Sequence, residues 1–206
     1  MKLYSFDIAP NPRRVNHLLQ YKGVDLDSEQ VSLLEGQQLS SAFRAVNPRC
    51  TVPTLVLDDG TVLSDTIAIC LYLDSQFPEP PLFGSNDLER AQIVGACHQI
   101  FMEGTTAVAE VLRNQGDHFK GRALPGTLDL PQIPELVERG VQRIQHFFQT
   151  IDKQLQGKPY VVGEQLSQAD IDLMVWVDFC GWVKQSPPDG CTALHEWLGR
   201  VRPLFA

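Results

Sequence analysis

Basic charge is scarce in this chain: 17 Lys and Arg stand against 25 Asp and Glu, a formal net charge of -8. Polyanions are held by Lys and Arg that displace counterions, so no nucleic-acid partner is expected. CxxC pairs are absent. The five cysteines, Cys50, Cys70, Cys97, Cys180 and Cys191, are scattered and odd in number, which reads as reduced thiols rather than a disulfide framework. The five histidines, His17, His98, His118, His146 and His195, show no ligand spacing, and no metal site is expected. No apolar run approaches the roughly twenty residues that a membrane-crossing helix needs, and the first residues lack a charged-then-apolar secretory pattern. These absences predict a cytoplasmic protein with no membrane partner. Repeats and low-complexity tracts are missing too. What is present is ordinary: with 43% hydrophobic and 20% charged residues, 206 residues can form one or two domains with ample core.

One stretch stands out. Asn47-Pro48-Arg49-Cys50-Thr51-Val52-Pro53-Thr54-Leu55 leads into Asp58-Asp59-Gly60 and then Leu63-Ser64-Asp65-Thr66-Ile67-Ala68-Ile69. Proline cannot donate a ladder hydrogen bond, so Val52 is placed at a sheet edge with free backbone groups that a peptide-like ligand can pair with. Asp-Asp-Gly reads as a hairpin turn, and Ser-Asp-Thr opens a helix whose N-terminus attracts carboxylates. Taken alone, Asp65-Thr66 is equally a simple helix cap, and Val52-Pro53 an ordinary edge strand.

Around it, residues 2–6 predict a strand, and Pro10-Asn11-Pro12 a loop that breaks it. A helix follows from Arg13, with Val15, Leu18 and Leu19 at helical spacing and Gly23 as its C-terminal cap. Residues 30–34 are a second strand candidate, residues 36–46 a loop running into a short helix, 54–57 with 62–63 a hairpin, and 66–75 a helix. Phe77-Pro78-Glu79-Pro80-Pro81 cannot continue a helix and stiffens an extended connection. The division is therefore a first domain at 1–78, a linker at 79–87 and a second domain at 88–206. In the second domain 88–114 and 134–155 are long helical patterns, and 160–162 is a short apolar run and the one strand candidate. Residues 120–133 read as a mobile loop near a cleft. Ser167 and Asp170 have the spacing of a capping box, stapled by Leu166 and Ile171, and Asp170→Ala is expected to cost ~1–2 kcal/mol.

The order N-P-x-x-x-V-P-x-L, D-D-G, then acid, hydroxyl and A-I, together with Met1-Lys2-Leu3-Tyr4, Arg13-Arg14-Val15 and Gly163-Glu164-Gln165-Leu166-Ser167-Gln168-Ala169-Asp170, resembles the cytosolic glutathione transferases over nearly the whole chain. The resemblance implies a thioredoxin-like βαβαββα domain followed by an all-α domain, a homodimer, and glutathione as co-substrate. It assigns the glutathione cysteinyl unit to the backbone at Thr51, Val52 and a cis Pro53, the γ-glutamyl end to Asp65 and Thr66, and the glycine end to Gln38 and the Leu39 backbone. A hydrophobic electrophile is expected between the domains, at Ile8 and Ala9 on one side and Phe101, Met102, Thr105 and Trp176 on the other, with Phe179 beside Trp176.

The family's serine or cysteine position is occupied here by Ala9, and its tyrosine position by Ile8, so neither offers a hydroxyl or thiol. Ala9-Pro10-Asn11-Pro12-Arg13 is similar instead to the Pro-Asn segment of bacterial Nu-class members, which makes Asn11 the candidate that holds the thiolate. As a residue between prolines, Asn11 also suits a plain turn. Cys50 is expected as an exposed loop thiol open to glutathionylation, or an inert one. Arg13 and Arg14 are expected at the surface or in an ion pair. Three activities follow: transfer of glutathione to a hydrophobic electrophile; reduction of a disulfide or peroxide as in the Nu type; or non-catalytic binding of glutathione and hydrophobic ligands.

Overall fold

The computed structural model describes all residues, 1–206. They fall into two units, one formed by Met1–Pro80 with Leu124–Asp129, the other by Pro81–Ala123 with Leu130–Ala206.

The first unit runs β1 (Lys2–Ser5), α1 (Pro10–Lys22), β2 (Asp27–Gln30), α2 (Ser41–Val46), β3 (Thr54–Val56), β4 (Val62–Leu63) and α3 (Thr66–Gln76). The sheet order is β2-β1-β3-β4. β1 and β2 are parallel, joined through α1, whereas β3 runs antiparallel to both β1 and β4. Strand alternation sends Leu3 and Tyr4 to opposite faces. Leu3 opposes Leu55 across β1 and β3, and both are buried with Val15, Leu18, Ile69 and Leu73. Tyr4 meets Phe43 edge to face at 5.8 Å, in a second cluster with Val31 and Val52.

Two elements differ from the sequence reading. β2 lies at 27–30 rather than 30–34, because Asp-Ser-Glu-Gln is an edge strand exposed throughout, and only Val31 beyond it is buried. α1 begins at Pro10 rather than Arg13. Proline is welcome in a first turn, where its fixed φ fits and its missing N–H has no intrahelical partner to lose. Gly23, at φ 64, closes α1 in the left-handed conformation. One residue before it, the Lys22 side chain is 0% exposed, and its Nζ bonds Asp74 Oδ1 at 2.7 Å and the carbonyls of Phe77 and Pro80 at 2.8 and 2.6 Å. An ammonium has three protons and here three acceptors. It ties α1, α3 and the proline-rich connection together.

The second unit is helical: α4 (Asp87–Gln99), α5 (Thr106–Gln115), α6 (Glu135–Leu155), α7 (Gln168–Cys180) and α8 (Thr192–Val201). The pattern over 88–114 is broken by a π-helical turn at Ile100–Thr105. Its Met102 carbonyl, released from the regular ladder, accepts from Thr106 Oγ1 at 2.6 Å and Arg143 Nη2 at 2.7 Å. Gly104 in that turn lies so close to Phe147 and Trp176 that a Cβ there would stand 2.8 Å from each. α7 is the buried centre. Trp176 sits against Phe147 and Phe148 with ring centroids 4.9 and 4.7 Å away.

Residues 160–162 form no strand. Their chain turns, and the Val161 N–H donates to Asp170 Oδ1 at 2.9 Å. The same carboxylate accepts from Trp197 Nε1 and from Ser167 N and Oγ, all at 2.9 Å, so the capping box also fixes the preceding turn and α8. Burial pushes the Asp170 carboxyl upward, and these donors pull against it. The connection after α5 is ordered by Arg113. Its guanidinium donates to the carbonyls of Arg122 and Ala123 at 2.7 and 3.1 Å and lies 4.6 Å over the Phe119 ring. Burial, and secondarily the Arg122 charge, bring its pKa down to about 10. The Ala123 N–H reaches Leu130 O at 3.1 Å and closes the neck of the segment Leu124–Asp129. No helix is long and apolar enough to cross a membrane.

Candidate functional site

Strand directions alone gather most of the expected residues. β1 and β2 end where antiparallel β3 begins and β4 ends, with Tyr4 opposite Thr54 and Leu55 opposite Leu63. Four segments therefore emerge at one end of the first unit's sheet: 6–11 after β1, 31–39 after β2, 51–53 before β3 and 64–66 after β4. These carry Ile8, Ala9, Asn11, Gln38, Leu39, Thr51, Val52, Pro53, Asp65 and Thr66.

The segment before β3 is held by Asn47, whose importance the sequence reading missed. It is 1% exposed. Its Nδ2 donates to Thr51 O at 2.9 Å, to Thr54 Oγ1 at 2.9 Å and to Thr51 Oγ1 at 3.2 Å, while Oδ1 accepts from Arg49 N at 3.0 Å. The turn so fixed contains a cis Val52–Pro53 bond. Neither the N–H nor the carbonyl of Val52 is bonded within the chain, which leaves one donor and one acceptor side by side for an added strand. An Asn directly after α2 and before Pro48 was the available signal.

Cys50 is not the exposed thiol expected. It is 3% exposed, with Sγ 3.6 Å from Pro48 O, in a left-handed conformation at φ 55. That tight turn folds its side chain inward. Nearby, a Cβ on Gly126 of Leu124–Asp129 would stand 3.5 Å from Arg49 O.

Asp65 is the N-cap of α3, its Oδ1 accepting from Ile67 N at 3.1 Å and Ala68 N at 3.4 Å. The other carboxylate oxygen has no partner in the chain. The Thr66 N–H, the first of the helix, is likewise unused, in the positive field of the helix end. Gln38, in the 3-10 turn Gln37–Leu39, is 5% exposed with no partner for Oε1. The Leu39 backbone, by contrast, is committed: its N–H bonds Gly36 O at 2.9 Å and its carbonyl accepts from Arg44 Nε at 3.0 Å. It has no free donor for a ligand carboxylate.

Ala9 caps α1 with no side-chain bond, and Ile8 is 53% exposed. Asn11 is in the first helical turn, not in a loop. Pro10 and Pro12 have no N–H, and Arg13 N is used by Ala9 O at 3.1 Å. Asn11 therefore holds the only free N–H of that turn. Its Oδ1 accepts from Arg14 Nη1 at 3.2 Å, and nothing in the chain accepts from its Nδ2. Arg14, expected at the surface or in an ion pair, is 6% exposed.

In the second unit the π turn leaves Phe101 and Met102 38% and 48% exposed, with Thr105 half-buried. Trp176, at 1% exposed, is a core side chain and offers no face to a ligand, and Phe179 is nearly as buried. The burial of Trp176 follows from α7 being enclosed on nearly every side. Two surface depressions of about 250 and 330 Å³ lie at α8 and the end of α6 and contain none of these residues. No group of three or more His, Cys, Asp or Glu side chains is arranged to hold a metal ion.

The profile of the glutathione S-transferase N-terminal domain matches residues 8–76, and that of the glutathione S-transferase C-terminal domain matches residues 134–200. Glutathione S-transferase 2 of Saccharomyces cerevisiae is 33% identical over 208 aligned positions, 98% of this chain and 85% of the relative. Among solved structures, a glutathione S-transferase domain-containing protein of Marinobacter aquaeolei is 28% identical with a TM-score of 0.91, and Gtt2 of Saccharomyces cerevisiae is 28% identical with a TM-score of 0.88. In both cases the match covers 100% of each chain.

Proposed function

The chain belongs to the glutathione S-transferase family, and from that premise we propose that it binds glutathione at the gathered end of the first unit's sheet and activates the thiol for attack on a hydrophobic electrophile. The Val52 N–H and carbonyl pair with the cysteinyl unit as an added strand would. Thr66, at the positive end of α3, takes the γ-glutamyl carboxylate, and the free oxygen of Asp65 takes the ammonium. Gln38 is assigned to the glycine end. The thiol gives its proton to water, and the thiolate is held by the Asn11 N–H and carboxamide in the field of α1, which lowers its pKa. The sulfur lone pair then forms a bond to the electrophilic carbon as the leaving group departs with its electron pair, a step favoured by proximity. Exposed Ile8 is proposed as a contact for that substrate, as are Phe101, Met102 and Thr105. The protein acts as a cytoplasmic homodimer.

The observation that carries this reading is the first turn of α1, stripped by two prolines to a single free N–H on the residue whose carboxamide NH2 group is also unspent. Ultraviolet titration of bound glutathione tests it. Asn11→Ala should raise the thiol pKa and lower kcat by one to two decades, the equivalent of ~1.5–3 kcal/mol, with glutathione affinity little changed. An unmoved pKa and unmoved turnover would leave Asn11 as a turn residue. Ala9, which offers neither hydroxyl nor thiol, favours two other readings. Turnover of a small disulfide or a peroxide but not of a chlorinated aromatic would favour a Nu-type reductase or peroxidase. Binding of glutathione with no turnover of any of the three would favour a non-catalytic role.

A further inference from the structure

We infer that Arg14 is a positioning residue: its guanidinium fixes the Asn11 carboxamide so that the NH2 group, and not the oxygen, faces the glutathione sulfur. The inference rests on the reading of Asn11 above. An asparagine amide has two ends of opposite sign and similar shape, and only its hydrogen-bond partners decide which end meets a ligand. Here the partner is unambiguous. A guanidinium carries five N–H groups and no acceptor, so Arg14 Nη1, 3.2 Å from Asn11 and one turn further along α1, can bond only to Oδ1.

Arg14 is 6% exposed, so water competes little for its donors and packing limits its movement. With Oδ1 committed, Nδ2 points away from Arg14 and keeps both protons. Pro10 and Pro12 remove the neighbouring donors. All the donors that this turn can aim at a thiolate thus sit on one residue, and their direction is set by Arg14. A bond from a cation to the carbonyl end also polarises the amide and strengthens its N–H groups as donors.

Without Arg14 the amide turns over in part of the molecules and presents an acceptor oxygen to a negative sulfur, which the two repel. Asp7 and Arg13 carry charges beside this turn in the sequence. Asp7 Oδ1 is bonded by Ser5 Oγ at 3.0 Å and Asn16 Nδ2 at 2.9 Å. Neither charge is altered by changing Arg14, so they form a constant background in a comparison of variants.

A double-mutant cycle read by the thiol pKa of bound glutathione tests the inference. Arg14→Met should raise that pKa by about one unit, a roughly tenfold loss of thiolate near neutral pH, and lower kcat with KM for glutathione little changed. In the Asn11→Ala background the same substitution should leave the pKa where Asn11→Ala put it. Arg14→Lys, which keeps a donor and the charge, should recover most of the shift. An equal shift from Arg14→Met with and without Asn11 would mean that the charge acts through space, and would overturn the inference alone. So would a pKa that Asn11→Ala moves and Arg14→Met does not. A pKa unmoved by Asn11→Ala would overturn the reading of Asn11, and this inference with it. Should Arg14→Met fail to fold, the unaltered protein provides the test: the 15N-resolved side-chain amide of Asn11, identified through Asn11→Ser, must shift when glutathione is added. An amide that stays put while glutathione binds overturns the proposal.

Discussion

Asn47 is a side chain whose replacement should damage the fold and the ligand site together, and by an amount its contacts allow us to state. At 1% exposure it makes two close donor bonds, a third at 3.2 Å and one acceptor bond. Asn47→Ala removes all of them. Thr54 Oγ1 keeps its own bond to Thr51 O at 2.9 Å, so the loss is near three net hydrogen bonds at ~1 kcal/mol each, about 3 kcal/mol in all. Asn47→Asp is the sharper case because it is nearly isosteric. The new carboxylate still accepts from Arg49 N, but turns a negative oxygen toward the Thr51 carbonyl that Nδ2 now meets at 2.9 Å. A buried charge without a cation should make Asn47→Asp at least as costly as Asn47→Ala at neutral pH. Such a carboxyl has its folded pKa raised above the unfolded one, so the stability it contributes is present at low pH and lost as pH rises. Asn47→Asp should therefore regain stability relative to Asn47→Ala as pH falls toward about 4. Urea unfolding followed by circular dichroism gives both values. Glutathione calorimetry on the folded variants should show at least a tenfold weaker affinity, since the Val52 backbone hangs on this turn. If Asn47→Ala unfolds within 0.5 kcal/mol of the parent, or if Asn47→Asp is the more stable variant at pH 7, the clamp has been misjudged.

Lys22→Met takes a buried cation from Asp74 and the donor from two carbonyls and should cost about 3–5 kcal/mol in urea unfolding, part of which Lys22→Met with Asp74→Leu restores; a loss below 1 kcal/mol would show the pair to be solvated. Asp65→Ala should weaken glutathione at least tenfold by calorimetry and also lower stability by ~1 kcal/mol, because the carboxylate caps α3; unchanged affinity would remove Asp65 from the site. Asp170→Ala should exceed the ~1–2 kcal/mol of a cap alone, since Val161 N and Trp197 Nε1 lose their acceptor as well; a thermal shift no larger than that of Ser167→Ala would contradict this. The homodimer should appear in light scattering as twice 23.0 kDa at micromolar concentration, and a mass of 23.0 kDa would refute it.

Helices with an apolar period were legible from the sequence, because Val15, Leu18 and Leu19 or Phe147, Phe148 and Ile151 mark a face that must be buried. β2 was not. Asp27-Ser28-Glu29-Gln30 pairs through its backbone alone, and no side chain there reports it. The start of α1 was obscured by prolines that break a helix interior and suit a first turn equally well. At the gathered end of the sheet, the helix cap at Asp65-Thr66 and the free edge at Val52-Pro53 were legible because capping and edge chemistry require particular residue types. Arg14 and the committed Leu39 backbone were not, since what they do depends on partners that only the fold supplies, and Asn47 left only the faint signal of an Asn before Pro48. Trp176 shows the converse limit: an aromatic at helical spacing has the same letter in a pocket wall as in a core.

The grouping of Leu124–Asp129 with Met1–Pro80 bears on how this protein is made. A chain emerging from the ribosome completes residue 80 well before residue 129, and domains commonly fold as they emerge. Here the amino-terminal unit cannot be finished at that point, because a piece of it is still to be synthesised. Its last contacts, including those beside Arg49, wait until α4 and α5 have already appeared. Cutting the gene after residue 80 would therefore yield an unfinished amino-terminal unit, and swapping this half between relatives should succeed more often when residues 124–129 travel with it.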